Sequence, residues 1–137
     1  MDNKLFHQLC FYTMAHPDKA YFIHQHVVDA WQVQSAGADA KPIGIAFALV
    51  GLHLYLEKGY SGKEVQNAHV QLAKRKELIP NVSLPTHRGD ITIAEVLKAD
   101  TGPPRDAMIH QWCQSVWHAC TPCHEAIKAY LQLQGHH

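Results

Sequence analysis

The sequence predicts an all-α fold, a compact single-domain bundle of four to five main helices with no sheet. Three observations predict it. Apolar residues recur at three- and four-residue spacing along several segments. Proline or glycine marks the ends of most of those segments. No stretch sustains the alternation that a half-buried strand requires.

The elements follow in order. Leu5 to His16 reads as a first helix, with Leu5, Leu9 and Tyr12 or Thr13 at helical spacing, and Pro17 stops it because the preceding residue is pushed out of helical geometry. Asp18 reads as the N-cap of a second helix running to about Ser35, whose apolar face is Ile23, Val27, Ala30 and Trp31. After the loop at 36–39, Pro42 suits the first turn of a third helix, Pro42 to Lys58. That helix is apolar nearly all round, which places it at the centre. Its stripe of Gly44, Ala48 and Gly51 predicts close approach by a neighbouring backbone.

Gly59 caps the third helix, and Ser61 with Glu64 forms a capping box opening the fourth. The fourth helix should bury Val65, Ala68, His69, Leu72 and Ala73. Leu78 to Asp90, with Pro80, Pro85 and Gly89, is the long loop, and Thr92 to Ala99 is a short helix or turn. Arg105 or Asp106 begins the last long helix, which buries Ile109, Trp112, Cys113, Val116, Trp117 and Cys120. Pro122 should kink or restart it before Ile127 and Leu131 continue the face.

Composition narrows the class. At 137 residues the chain suits one domain and needs no disulfide or metal merely to stay folded. Twelve basic residues balance twelve acidic ones, so nothing in the charge favours nucleic acid or an anionic membrane. The start lacks a signal peptide, and the most apolar run, Ile43 to Leu56, is too short to span a bilayer. The chain therefore reads as cytoplasmic, with Cys10, Cys113, Cys120 and Cys123 as reduced thiols.

Twelve histidines are the compositional anomaly. His136 and His137 read as a tag remnant or disordered end and are set aside. Of the rest, His24 shares a face with Val27, Val28 and Trp31, and His26 has Asp29 three residues later on its own side. His24 and His26, two residues apart, splay too widely to hold one ion. His53 sits in the most buried helix with Glu57 four residues on, and His69 interrupts an apolar stripe. Facing helices can collect such side chains around Zn, Ni, Mn or Fe. The candidate ligands are His24, His26, Asp29, His53 and His69, with His7, Glu57 and Cys113 as second choices. Against this, a histidine on an apolar face commonly belongs to the core, hydrogen-bonded to a neighbour.

Cys120-Thr121-Pro122-Cys123-His124 spells the haem c attachment pattern, but without an export signal and on an apolar helix face it reads as a chance match. Arg88-Gly89-Asp90 spells an adhesion tripeptide and reads as a turn. Trp31, Trp112 and Trp117 could floor a pocket for a flat ligand, with packing as the simpler role.

Several segments carry a resemblance. They are Tyr12-Thr13-Met14-Ala15-His16-Pro17-Asp18, then Phe22-Ile23-His24-Gln25-His26-Val27-Val28-Asp29-Ala30. Lys41-Pro42-Ile43 follows, with Phe47-Ala48-Leu49-Val50-Gly51-Leu52 and Val65-Gln66-Asn67-Ala68-His69. Arg88-Gly89 then precedes Ile91-Thr92, and Trp112-Cys113-Gln114-Ser115-Val116-Trp117 closes the set. In that order they resemble a bacterial domain-of-unknown-function family, numbered 5946, and depart from it at Cys120 to His124. The resemblance implies a bacterial, cytoplasmic, single-domain protein and brings no assigned activity.

Two functional expectations follow. One is a metal- or small-ligand-binding domain with a histidine-lined pocket, as a binder, hydrolase or transferase. The other is a non-catalytic interaction module or homo-oligomer whose histidines are core. They differ in whether the histidines meet at a concave polar pocket.

Overall fold

The computed structural model describes residues 3–15 and 21–135. Among them lie seven α-helices and no strand, so the fold is all-α. The helices are α1 (Asn3–Met14), α2 (His24–Gln34), α3 (Pro42–Lys58), α4 (Gly62–Leu72), α5 (Ile93–Lys98), α6 (Pro103–Ala119) and α7 (His124–Leu133). A 3-10 segment, Ala73–Leu78, extends α4, and a second, Thr121–Cys123, separates α6 from α7. The count exceeds the four to five expected because the last helix is broken at Pro122 and the short α5 is a full element.

The third helix matches its expected bounds, with Pro42 in its first turn and Gly59 closing it in the left-handed conformation (φ 74°). The Ser61–Glu64 capping box is present in full, each side chain accepting the other residue's backbone N–H. A second box, Thr92 with Glu95, opens α5. The second helix starts later than its apolar pattern suggests, at His24, with Ile23 in the N-cap position and no side-chain cap. Pro17 and Asp18, assigned as stop and cap, lie outside the described residues, as do His16, His136 and His137.

Two helices share the centre. The α2 helix packs against α1, α3, α4 and α6, and α3 packs against α2, α4, α6 and α7. From Ala48 to Tyr55 every residue of α3 is buried, which a helix with neighbours on all sides requires. The faces expected of α6 and α7 are buried as well: Ile109, Trp112, Cys113, Val116, Trp117 and Cys120, then Ile127 and Leu131.

The small-residue stripe of α3 works differently from its expected role. It receives polar side chains of α2 rather than a backbone. A Cβ on Gly51 would fall inside the Asp29 carboxylate, 2.7 Å from its Cγ, and one on Gly44 would sit 2.6 Å from the Gln32 amide nitrogen. Gly51 and Gly44, seven residues apart, thus receive Asp29 and Gln32, three apart on α2. This seam draws the two central helices together around polar groups.

The long loop is pinned by side chains that read as unrelated in sequence. Arg88 donates to the carbonyls of Val33 and Ala36 at the end of α2 and to Pro85. Gln34 donates to the carbonyls of Arg88 and Ile91 and accepts the Trp112 indole N–H. Gly89, at φ 107°, lies directly on Ser115, whose hydroxyl accepts the Asp90 N–H. A cation at these terminal carbonyls also opposes the negative end of the helix dipole. These bonds account physically for the quoted Arg88-Gly89 and Trp112 to Ser115 segments.

Candidate functional site

The most unusual group in the molecule is a polar cluster at the junction of α2, α3 and α6. Its centre is His26, fully buried, with Asp29 at 2% exposure one turn further along α2. The α2 helix carries both inward on the sides that face α3 and α6, while Gln32 on the same helix reaches solvent. Gln25 donates its side-chain amide to Asp29 Oδ1 at 3.1 Å. Oδ2 rests against Gly51 and has no hydrogen-bond partner.

The His26 imidazole stacks flat on the Tyr55 ring, 3.5 Å between centroids and 7° between planes, and meets the edge of Tyr21. Both of its ring nitrogens are buried without a partner. The Tyr55 hydroxyl is bonded to His110 Nδ1 at 2.6 Å and also shares a hydrogen bond with Tyr21. Cys113 donates its thiol to the His26 carbonyl at 3.6 Å.

Burial sets the charge states. Desolvation, with the nearby His110 adding to it, pushes His26 down to about 3, so its ring is neutral near pH 7. Desolvation raises the Asp29 carboxyl well above its ordinary range, against the smaller effect of the Gln25 bond. Cys113 is likewise raised, by burial and then by Asp29, and Tyr55 by burial. Burial thus keeps the imidazole neutral, favours the protonated form of the carboxyl, and leaves no thiolate or phenolate ready for attack.

The expected ligand set separates in space. His24 Nδ1 bonds the Thr13 hydroxyl on α1 at 2.9 Å. His69 donates Nε2–H to the Phe47 carbonyl at 2.8 Å and stacks on the Phe47 ring. His53 Nδ1 lies 3.5 Å from Glu57, the pairing that the four-residue spacing predicted. Glu57 also accepts the Trp117 indole N–H at 2.7 Å and faces Lys128 at 3.6 Å. Burial alone would raise Glu57, yet those three partners hold it below its ordinary value. His26 and Asp29 stay one turn apart on α2, whereas His24 bonds Thr13, His53 faces Glu57 and His69 bonds the Phe47 carbonyl. Among the described residues no three His, Cys, Asp or Glu side chains group so as to hold one ion.

Of the second choices, Cys113 joins the central cluster and Glu57 the His53 pair, while His7 lies exposed on α1. The C-x-x-C-H residues are engaged within the fold. Cys120 is buried and pushed up to about 12 by desolvation, Cys123 donates to the Ser83 carbonyl, and His124 stacks on Trp117 at 3.7 Å.

Sequence reasoning missed Tyr21, Tyr55, His110 and Gln25. Gln25 could have been found from its four-residue spacing to Asp29. Tyr55 and His110 are 55 residues apart and carry no local signal.

A separate open groove of about 480 Å³ lies between α1, α2 and the loop 36–40. Its lining includes Phe6 and Trp31, stacked at 5.0 Å with 5° between planes, together with Gln32, Ser35 and Asp39. Trp31 is 7% exposed, so this indole serves both the core and the groove floor.

No helix among the described residues is long and apolar enough to cross a membrane. No curated protein and no solved structure shows significant similarity to the chain. The profile of the Family of unknown function (DUF5946) matches residues 3–121, which takes in α1 through α6 and both sides of the buried cluster and leaves α7 beyond it. The chain belongs to that family.

Proposed function

We propose that the protein is a small-ligand-binding helical domain in which His26 and Asp29 hold the ligand. The observation that carries this reading is that both His26 ring nitrogens and Asp29 Oδ2, one turn apart on α2, are buried and unpartnered, the densest group among the six such atoms of the described residues. Each such atom costs about 1–3 kcal/mol, a penalty that Phe and Leu at the two positions would avoid. A ligand supplying the missing partners turns that penalty into affinity.

The charge states define what it must offer. A neutral imidazole presents one donor and one acceptor, and a protonated carboxyl presents a hydroxyl donor. With Oδ1 engaged by Gln25, the proton belongs on Oδ2. The site therefore suits a small polar molecule bearing both a donor and an acceptor. A divalent ion among Zn, Ni, Mn and Fe would need the Asp29 carboxyl deprotonated, which burial opposes, and would have to bring the rest of its shell with it. The raised thiol and phenol favour binding over turnover by a hydrolase or transferase.

Access lies through the aromatic cover. Tyr21 precedes Phe22, which has a left-handed backbone (φ 54°), a strained state for an aromatic residue. Gly62 lets the Phe22 carbonyl approach α4 closely, and its N–H donates to the Tyr21 carbonyl at 2.6 Å. Displacing this turn would uncover His26.

The test compares the parent with His26→Phe and Asp29→Leu in thermal-shift and calorimetric screens. The panel contains ZnCl₂, NiCl₂, MnCl₂, anaerobic FeSO₄ and small polar molecules. A hit at about 100 times its Kd stabilises the parent by roughly 2.7 kcal/mol and leaves the folded variants unmoved. Variants more stable than a parent that binds nothing overturn the proposal.

A second reading, a non-catalytic interaction module, draws on the outer face of α1. There His7, Cys10, Phe11 and Met14 line an apolar groove of about 410 Å³, with Phe11 80% and Met14 62% exposed. Sedimentation of the parent against Phe11→Ser tests it: a concentration-dependent dimer lost in the variant supports self-association through this face, and a monomer in both removes that form of it.

A further inference from the structure

We propose that the outer face of α1 is a soft-metal site, in which His7, Cys10 and Met14 hold one cuprous ion. The three residues stand at positions i, i+3 and i+7 of the helix, so they form a single stripe, and all three line the same apolar groove. Side chains of a helix tilt toward its N-terminus, which lays the long Met14 thioether back over the turn that carries Cys10. The donors are within reach of solvent. His7 and Met14 are exposed and Cys10 is half-buried, whereas Cys113, Cys120 and Cys123 are all buried.

Donor chemistry selects the ion. An imidazole, a thiol and a thioether make a nitrogen–sulfur–sulfur set, and such soft sulfur ligands favour Cu(I) over Mg, Ca or Mn, which take oxygen. Among the described residues no carboxylate lines the groove, and Phe11, 80% exposed, supplies the rest of its lining. Cu(I) accepts a three-donor shell, so no fourth side chain is required. Charge agrees with the apolar surroundings. Burial raises the Cys10 thiol, so the free protein carries it protonated. On binding, the S–H bond breaks, its electron pair forms the Cu–S bond and the proton leaves to solvent. A monovalent ion on one thiolate is then neutral overall, whereas Zn²⁺ would leave a net positive charge against Phe11 and Met14.

None of these residues belongs to the His26–Asp29 centre, so this site stands or falls independently of it. The experiment titrates the full chain, reduced and free of oxygen, into the coloured Cu(I)–bicinchoninate complex and follows the loss of colour. In parallel, Ag(I), a redox-stable stand-in, is added to protein carrying ¹³C-methyl methionine. The parent should withdraw one cuprous ion per chain, and Ag(I) should shift the Met14 methyl resonance, assigned by its loss in Met14→Leu. His7→Phe and Met14→Leu, both at exposed positions, should each weaken Cu(I) about tenfold or more, and Cys10→Ser should abolish binding. Phe11→Ser keeps all three donors and should bind within about threefold of the parent, which separates metal binding from self-association through the same face. Three results would overturn the proposal: a parent that withdraws no copper, a His7→Phe or Met14→Leu variant that binds like the parent and so reduces the site to a bare thiol, or a Cys10→Ser variant that still binds.

Discussion

Replacing Gly51 with alanine probes the seam on which the buried centre is built. The added Cβ would overlap Asp29 Oδ2, sit 2.7 Å from its Cγ and press on Val65 Cγ1 at 3.2 Å. Val65 is itself buried, so relief has to come from rotating the Asp29 carboxyl away. Rotation forfeits the Gln25 bond, worth about 1 kcal/mol, and overfills a closed region at about 1–3 kcal/mol. Alanine returns up to about 1 kcal/mol of helix propensity. The net is a loss of roughly 2 kcal/mol, or about 6–8 °C in Tm for a chain of this size. In an Asp29→Ala background the clash is gone, and the same change should stabilise by about 0.5–1 kcal/mol. Urea denaturation of the four proteins in a double-mutant cycle measures a coupling of about 2–3 kcal/mol. A Gly51→Ala protein as stable as the parent, or equal costs in both backgrounds, would refute the placement of Asp29 over α3.

Three other perturbations test separate parts of the structure. Asp29→Asn isolates the buried titrations. His26, held at about 3 against an ordinary 6.5, costs stability as pH falls through that window, while Asp29, held above its ordinary 3.8, costs stability as pH rises above it. The two slopes oppose each other between these ordinary values, so the stability of Asp29→Asn relative to the parent should climb from about pH 4 upward; a flat difference in denaturation across that range contradicts a protonated Asp29. Arg88→Ala removes donors to three carbonyls and should cost about 2–3 kcal/mol in urea, with faster amide exchange across the 78–90 loop, and unchanged exchange would show that the loop is held otherwise. Trp117→Phe deletes the donor to Glu57 and should cost about 1–2 kcal/mol; a neutral variant would mean that Lys128 and His53 suffice to hold that carboxylate.

What could be read from the sequence follows the range of the physics involved. Patterns that repeat every turn of a helix were legible: the buried faces of α6 and α7, the bounds of α3, the Ser61–Glu64 box and the His53–Glu57 pair all depend on residues within about four positions. The splay of His24 from His26 was legible for the same reason, and the two do point to different partners, Thr13 on α1 and Tyr55 on α3. The choice between a core histidine and a ligand depends instead on what the opposite helix presents. His69 is half-buried rather than buried as its stripe predicts, and it bonds the Phe47 carbonyl, which nothing near His69 in sequence announces.

The same distinction explains why the small-residue stripe was found and its meaning missed. Gly44, Ala48 and Gly51 recur on one face of α3, so a close neighbour could be inferred, but whether backbone or side chain fills the space is decided on α2. There Asp29 and Gln32 share one side, and each meets a position without a Cβ. A polar residue facing a glycine across two buried helices is an expensive arrangement, since an apolar pair would close the seam without orphaned atoms. Gln25 satisfies one Asp29 oxygen and leaves the other, and the Tyr55–His110 pair bounds His26 without bonding its nitrogens. Packing alone accounts for the glycines once the acid is present, but it gives no reason for the acid. That asymmetry makes Asp29 and His26 the positions at which function is to be sought, and the replacement pair His26→Phe and Asp29→Leu the comparison that separates a site from a packing relic.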